Sequence, residues 1–216
     1  MERNLNVRVA QKQDLCAVAN VHIHCFSDSY STQLNKFHFC RGEYGLLESF
    51  YNEYLQDNNK LFWVVEQDGE IIAFCVGYTM NKKQQVQNFQ KRHRLALLFT
   101  NMVLALSFNK AFYKKIMNSF FSKKKGAWEI IDVENEKLDS CERGDLLSIC
   151  VLPRFRGQSI SSSLLDSFLQ GMKDVGCKVC VLSVDVSNKR AIRYYEKNGF
   201  RLSKTNHVEN RMFKYL

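Results

Sequence analysis

The chain has 216 residues, 45% of them apolar and 12% aromatic, which allows a sizeable core and excludes a disordered or fibrous chain. Its net charge of +9 is local: eleven Lys and Arg and no Asp or Glu fall between Asn81 and Lys125, so the remainder sums to −2. Among eight scattered cysteines, Cys177-Lys-Val-Cys180 is the only CxxC, which excludes a paired-CxxC zinc site and reads as buried strand thiols; no metal is expected.

Met1 to Asn6 shows no basic-then-apolar leader, so the chain reads as cytoplasmic with reduced thiols. Val7 to Ala10 is a short strand candidate. Asp14 then caps a helix with apolar positions Leu15, Val18, Ala19, Val21, Ile23 and Phe26. His22 and His24 are two apart, a poor metal pair, and read as helix-surface histidines. Ser27 to Tyr30 is a turn, and an aromatic-rich helix is expected from about Arg41 to Leu55. From Leu61 to Tyr78, two β-branched and aromatic runs flank Asp68-Gly69, the signature of a tight hairpin.

Residues 82 to about 125 interrupt this alternation. A basic head, Lys91 to Arg94, leads into the 14-residue apolar run Leu95–Phe108, and a second apolar and basic helix carries Phe112, Ile116, Met117 and Phe120. As a helix the run would cover about 21 Å, short of a bilayer core of about 30 Å. Three placements are open for this helical hairpin: against its own domain or a sister subunit, on an anionic membrane surface, or on nucleic acid. Nucleic acid is not expected, because the aromatics fall at apolar helix positions instead of between the cations.

Ala127 to Val133 is a strand candidate, and Lys137 to Gly144 a polar connection. Asp145 to Val151 reads as a buried strand that stops near Pro153, the only proline. A basic loop with Arg154, Arg156 and Gly157 follows, and Ile160, Leu164, Leu165, Phe168, Leu169 and Met172 recur at helical spacing. Strand, loop and helix start together expose backbone N–H groups at a positive helix end, which suits a phosphate or pyrophosphate. Val179 to Val186 is the next strand, Asn188 to Asn198 a short helix stopped by Gly199, and Phe200–Ser203 and Arg211–Tyr215 a closing strand pair.

In that order, the elements resemble the GNAT superfamily of acyl-CoA-dependent N-acyltransferases, with the specific part at 145–203. The family's pyrophosphate loop, Arg/Gln-x-x-Gly-x-Gly/Ala, matches Arg156-Gly-Gln-Ser159-Ile-Ser161, and its Asn-x-x-Ala-x-x-x-Tyr-Glu-Lys-x-Gly-Phe signature runs from Asn188 to Phe200. Neither GxxxxGKS/T nor GxGxxG occurs. The resemblance implies one N-acetyltransferase domain over 1–216, an α/β (α+β) fold with a central mixed twisted sheet flanked by helices, and a helical insertion at about 82–125. It implies acetyl-CoA as cofactor, held by Ile149, Cys150, Val151, Arg154, Arg156, Gly157, Gln158, Ser159, Ile160, Ser161, Ser162, Asn188 and Tyr195. Both motif glycines are serines here, so a Cβ stands where close phosphate approach is expected.

The same resemblance makes Tyr195 the acid that protonates the departing thiolate, and puts backbone amides near Ile149 and Val151 at the thioester carbonyl. Asp145 and Glu142 are the candidate bases. Asp145 shares strand parity with Leu147, Ile149 and Val151, while the position where some relatives have a glutamate is Ser183, with Asp185 the nearest carboxylate. Tyr194 points to a different face and reads as core. The implied reaction is direct acetyl transfer to a primary amine of a small molecule. A likeness to GNAT proteins with a basic, apolar insertion points to an amino sugar or glycan precursor. The alternatives are a non-catalytic CoA-binding scaffold, or acetylation of protein N-termini or lysines. The insertion leaves open an anionic membrane surface, peripheral at the inner face, or self-association.

Overall fold

The structure is a computed structural model that describes residues 5–36, 45–55, 60–79, 83–123, 129–130 and 142–216. Its strands are β1 (Leu5–Val9), β2 (Phe62–Gln67), β3 (Glu70–Thr79), β4 (Glu129–Ile130), β5 (Arg143–Val151), β6 (Val179–Asp185), β7 (Arg201–Thr205) and β8 (Glu209–Tyr215). Its helices are α1 (Leu15–Cys25), α2 (Tyr30–Lys36), α3 (Leu46–Asn52), α4 (Lys83–Arg92), α5 (Arg94–Leu106), α6 (Lys110–Lys123), α7 (Ile160–Asp174) and α8 (Lys189–Lys197). The strands form one sheet in the order β1-β2-β3-β5-β6-β8-β7-β4. Only β5 and β6 are parallel, joined through α7; the other neighbours are antiparallel. This is the mixed, helix-flanked sheet expected from the sequence.

The hairpin at Asp68-Gly69 forms as expected, with φ of 52° and 84° at its two central residues. Positive φ at both positions is the type I′ turn, whose twist matches that of the strands it joins. The sheet buries a face on each side. Against α7 lie Leu164, Leu165, Phe168 and Met172, packed on Ala73, Cys75, Leu146 and Val151. Against α1 and α3 lie Leu15, Val18 and Tyr51, packed on Phe62, Phe74 and Val76. A fully buried side chain of this size contributes roughly 2–3 kcal/mol.

Asp14 does not cap α1 as the sequence suggested. Its carboxylate accepts the Gln11 N–H at 2.7 Å and a two-pronged contact from Arg8 at 2.7 and 2.9 Å, and Arg8 also reaches Glu66. Burial pushes the Asp14 pKa up, but Arg8 and the Gln11 amide outweigh it and leave the carboxyl below the usual range. The cluster ties the start of α1 to β1 and β2.

Two elements differ from the sequence reading. A separate helix, α2, follows the Ser27–Tyr30 turn, and the helix expected from Arg41 is described only from Leu46. The insertion holds three helices instead of two. Its inner side packs on the domain itself: Phe89 and Leu104 meet Leu34 and Leu46, Asn109 donates to Gln33 at 3.2 Å, and Arg92 pairs with Glu53. Of the strand expected at Ala127–Val133, Glu129 and Ile130 pair with Thr205 and Lys204; its other residues, and 137–141 of the polar connection, lie outside the described residues.

Candidate functional site

The sheet is interrupted at its centre. Strand β5 pairs with β6 only from Arg143↔Val179 to Leu146↔Leu182. Next to that limit the β3–β5 register shifts, with Gly77 opposite Leu146 and Val76 opposite Ser148, so Leu147 is an extra residue on β5. Such a bulge bends its strand and ends local pairing. Gly77 permits it, because a Cβ there would lie 2.4 Å from the Asp145 carbonyl and 2.5 Å from the Phe168 ring. Beyond the bulge the two parallel strands part, and a wedge opens between them.

The wedge holds a cavity of about 380 Å³. Ile149, Cys150 and Val151 form one wall, Gly157, Ile160 and Ser161 the loop and start of α7, and Asn188, Ala191, Tyr194 and Tyr195 the opposite wall. The loop ends in Ser159 at φ 59°, ψ 2°, and the carbonyl of Ser159 accepts the amides of Ser162 and Ser163 at 3.0 and 3.1 Å. The first amides of α7 have no partner within the helix and face an acceptor from outside. Arg156 donates to the Val151 carbonyl at 3.0 Å, and Arg190 lines the same cavity. Two cations, a helix start and a strand edge without a ladder partner fit a pyrophosphate joined to an amide-bearing chain.

Of the two serines in place of glycine, only Ser159 takes the left-handed conformation that glycine favours; Ser161 lies inside α7. Ser159→Gly is expected to raise stability by about 0.5–1 kcal/mol, read as a higher urea midpoint at unchanged slope. A lower midpoint would show that the serine side chain holds the loop by a bond glycine cannot make.

Several expected residues meet here and several do not. Tyr195 is largely buried against the wedge, 5.4 Å from Tyr194 and 5.6 Å from Phe200 between ring centres, and burial pushes its hydroxyl above the usual tyrosine range. Tyr194, read as core, lines the same wedge and donates to the Ser161 carbonyl at 2.8 Å, which ties α8 to the loop. Asn188 caps α8 by accepting the Ala191 amide at 3.1 Å. Gln158, Ser159 and Ser162 flank the cavity without lining it. Arg154 is turned away, paired with Glu70 in a separate cavity beside Arg8 and Asp14.

Neither candidate base reaches the wedge. Glu142 sits at the closed ends of β5 and β6, paired with Lys178. Asp145 does not share a face with Ile149 and Val151, because the bulge reverses strand parity between them. It lies opposite Tyr78 and 3.6 Å from Arg211. Asp185 accepts the amide and hydroxyl of Ser187 at 2.8 and 2.6 Å, bonds that hold its pKa down.

Sequence reasoning missed Cys25 and His22. Cys25 lines the wedge and donates to the Val151 carbonyl at 3.4 Å. A hydrogen bond from Cys150, aided by the charge of Arg156 and opposed by burial, brings its thiol down to about 7. His22 is buried instead of exposed. Its Nδ1 lies 2.7 Å from the Tyr51 hydroxyl and its Nε2 2.9 Å from Ser31 Oγ, and burial brings its pKa down to about 4. The imidazole is therefore neutral at pH 7, one nitrogen donating and the other accepting.

His22 and Tyr51 line a second cavity, of about 630 Å³, between α1–α3 and the inserted α4–α6. Its wall is mostly apolar, with Leu47, Phe50, Phe89 and Leu97. Leu147 and Ser148 of the bulge enter this cavity while Ile149 to Val151 enter the wedge, and Phe26 lines both. The two cavities adjoin at the bulge. Among the described residues no three His, Cys, Asp or Glu side chains group as a metal site.

Residues 127–200 match the Acetyltransferase (GNAT) family. The chain is 34% identical over 58 residues to N-alpha-acetyltransferase 30 of Schizosaccharomyces pombe, a match covering 27% of this chain and 39% of that protein. It is 31% identical over 67 residues to mycothiol acetyltransferase of Propionibacterium freudenreichii, covering 31% of this chain and 22% of that protein. The matched segments thus span well under half of these relatives' lengths. The fold resembles the PaiA N-acetyltransferase of Thermoplasma acidophilum in complex with coenzyme A, with a TM-score of 0.54 at 17% identity and 99% of each chain covered.

Proposed function

From the match of residues 127–200 to the Acetyltransferase (GNAT) family, we propose that the chain transfers acetyl from acetyl-CoA directly to a primary amine. The observation that carries this reading is the meeting of the two cavities at the β5 bulge, which would put a thioester in the wedge beside an amine in the second cavity. When bound, acetyl-CoA supplies the acetyl thioester. Arg156, Arg190 and the first amides of α7 hold its phosphates, and the free edge of β5 orients its amide-bearing arm. The Tyr51 hydroxyl would take a proton from the acceptor ammonium as it gives its own to His22 Nδ1, and His22 would release its Nε2 proton through the Ser31 hydroxyl to solvent. Tyr195, kept protonated by burial, delivers a proton to the departing sulfur. One C–N bond forms and one C–S bond breaks. Of the two protons the ammonium loses, one balances the thiol and the other goes to solvent.

The apolar wall of the second cavity favours an amine carried on an apolar body. Ser31, Gln90, Arg94 and Asn101 on the same wall would bond the hydroxyls of an amino sugar, so the cavity admits that acceptor as well. A second reading, a polypeptide N-terminus as acceptor, is favoured by the relatives named N-alpha-acetyltransferases.

One experiment separates binding from turnover. With its thiol brought down to about 7, Cys25 is expected to react first with iodoacetamide, and CoA in the wedge to protect it. Thiol release from acetyl-CoA is then followed with alkylamines, amino sugars and peptides. Protection with release on an apolar amine supports the proposal. Protection without release on any amine favours a non-catalytic CoA-binding module, and no protection overturns both.

A further inference from the structure

We propose that the outer face of α5 and α6 docks on an anionic lipid surface. Helix α5 carries two apolar stripes. One, with Leu97 and Leu104, packs inward on the domain. The other faces solvent at helical spacing, with Leu95 81%, Leu98 57%, Met102 52% and Leu106 72% exposed. In the turn that follows, Phe108 is also 81% exposed, and Met117 of α6 is 52% exposed. Phe108 is held at φ 52°, a conformation costly for a bulky side chain, and this keeps its ring at the tip of the turn. An exposed apolar stripe along a helix, followed by an exposed aromatic in the next turn, marks a surface that is covered in use.

Charge decides what covers it. The segment 81–125 has eleven Lys and Arg and no Asp or Glu, and Lys91, Arg94 and Lys110 are exposed along these helices. A second copy docking by the same face would bring two acid-free surfaces together with no counter-charge from this segment. An anionic lipid surface takes the apolar stripe between its acyl chains and neutralises the flanking cations with its headgroups. The helices lie on the surface instead of crossing it. Among the described residues no single helix is long and apolar enough to span a membrane, and α5 and the start of α6 meet at a bend of 107°.

Arg94 and Leu98 belong both to this face and to the rim of the second cavity. Given the acyltransferase reading above, docking would bring that rim to the lipid surface, where an amphiphilic amine could enter from the bilayer. The docking itself stands without that reading.

The test is flotation of the full chain with vesicles of phosphatidylcholine alone, or with one-third phosphatidylglycerol, at about 0.1 M salt. The chain is expected to float only with the anionic vesicles. Leu106→Asp and Phe108→Asp should each cut the lipid-bound fraction at least tenfold, and Lys110→Glu severalfold. None of these three residues lines either cavity, so CoA protection of Cys25 in the same variants reports whether the domain remains folded. Failure to float with either vesicle overturns the proposal, as does equal flotation with both. Light scattering that shows a dimer abolished by Leu106→Asp, without lipid binding, overturns it in favour of a second copy. A chain that floats on anionic vesicles but acetylates no amine upholds docking and overturns the acyltransferase reading.

Discussion

His22→Gln is expected to lower kcat for acetyl transfer by about 10²-fold or more, with CoA protection of Cys25 within about threefold of the parent chain. Glutamine can bond both Tyr51 and Ser31, so it preserves the packing and the two contacts at 2.7 and 2.9 Å, but it cannot take up and release a proton. A merely structural histidine would be rescued by glutamine, and full activity in the variant would remove His22 from the mechanism. Stability gives a second readout. The folded-state pKa of about 4 lies below the ordinary 6.5, so the unfolded chain binds the proton more readily. The contribution is fully present above about pH 6.5 and falls as pH drops toward 4. Between pH 7.5 and 5 the parent chain should lose about 2 kcal/mol from this group, a loss absent in His22→Gln. Urea unfolding of both proteins at the two pH values checks it, and identical losses would show that His22 is not held neutral.

The two cavities differ in how far the sequence announces them, and the reason is physical. The wedge is written in two local segments, 145–165 and 188–200, each of which folds into a strand–loop–helix or capped-helix unit with its functional atoms on its own backbone or nearby. Arg156, Ser161, Asn188 and Tyr195 therefore fall where pattern places them. The second cavity is assembled from α1, α2, α3, the inserted helices and β5, and its key contact joins residues 29 positions apart. A histidine between apolar neighbours on a short helix looks solvent-facing until its hydroxyl partners arrive from elsewhere. One inserted residue did the rest. The bulge at Leu147 reversed the strand parity that would have aimed Asp145 into the wedge and placed Leu147 and Ser148 in the second cavity.

Tyr195→Phe should lower kcat by about 10²–10³-fold while the KM for acetyl-CoA changes only a few-fold. The ring that packs beside Tyr194 and Phe200 remains, so the loss isolates the hydroxyl. Burial keeps that hydroxyl protonated through the neutral and mildly alkaline range, which suits a proton donor and unsuits a base. The parent chain should therefore show no alkaline decline in acetyl transfer attributable to Tyr195. Leaving-group dependence is the sharper test. A thiolate of low pKa departs without help, so the defect in Tyr195→Phe should shrink toward parity with an acetyl thioester of an acidic aryl thiol. Tyr194→Phe should behave in the opposite way: it removes the 2.8 Å bond to the Ser161 carbonyl that braces the loop, and should raise KM with kcat nearly unchanged. If both donors suffer equally in Tyr195→Phe, or if only KM moves, the hydroxyl positions the cofactor and the sulfur takes its proton from water.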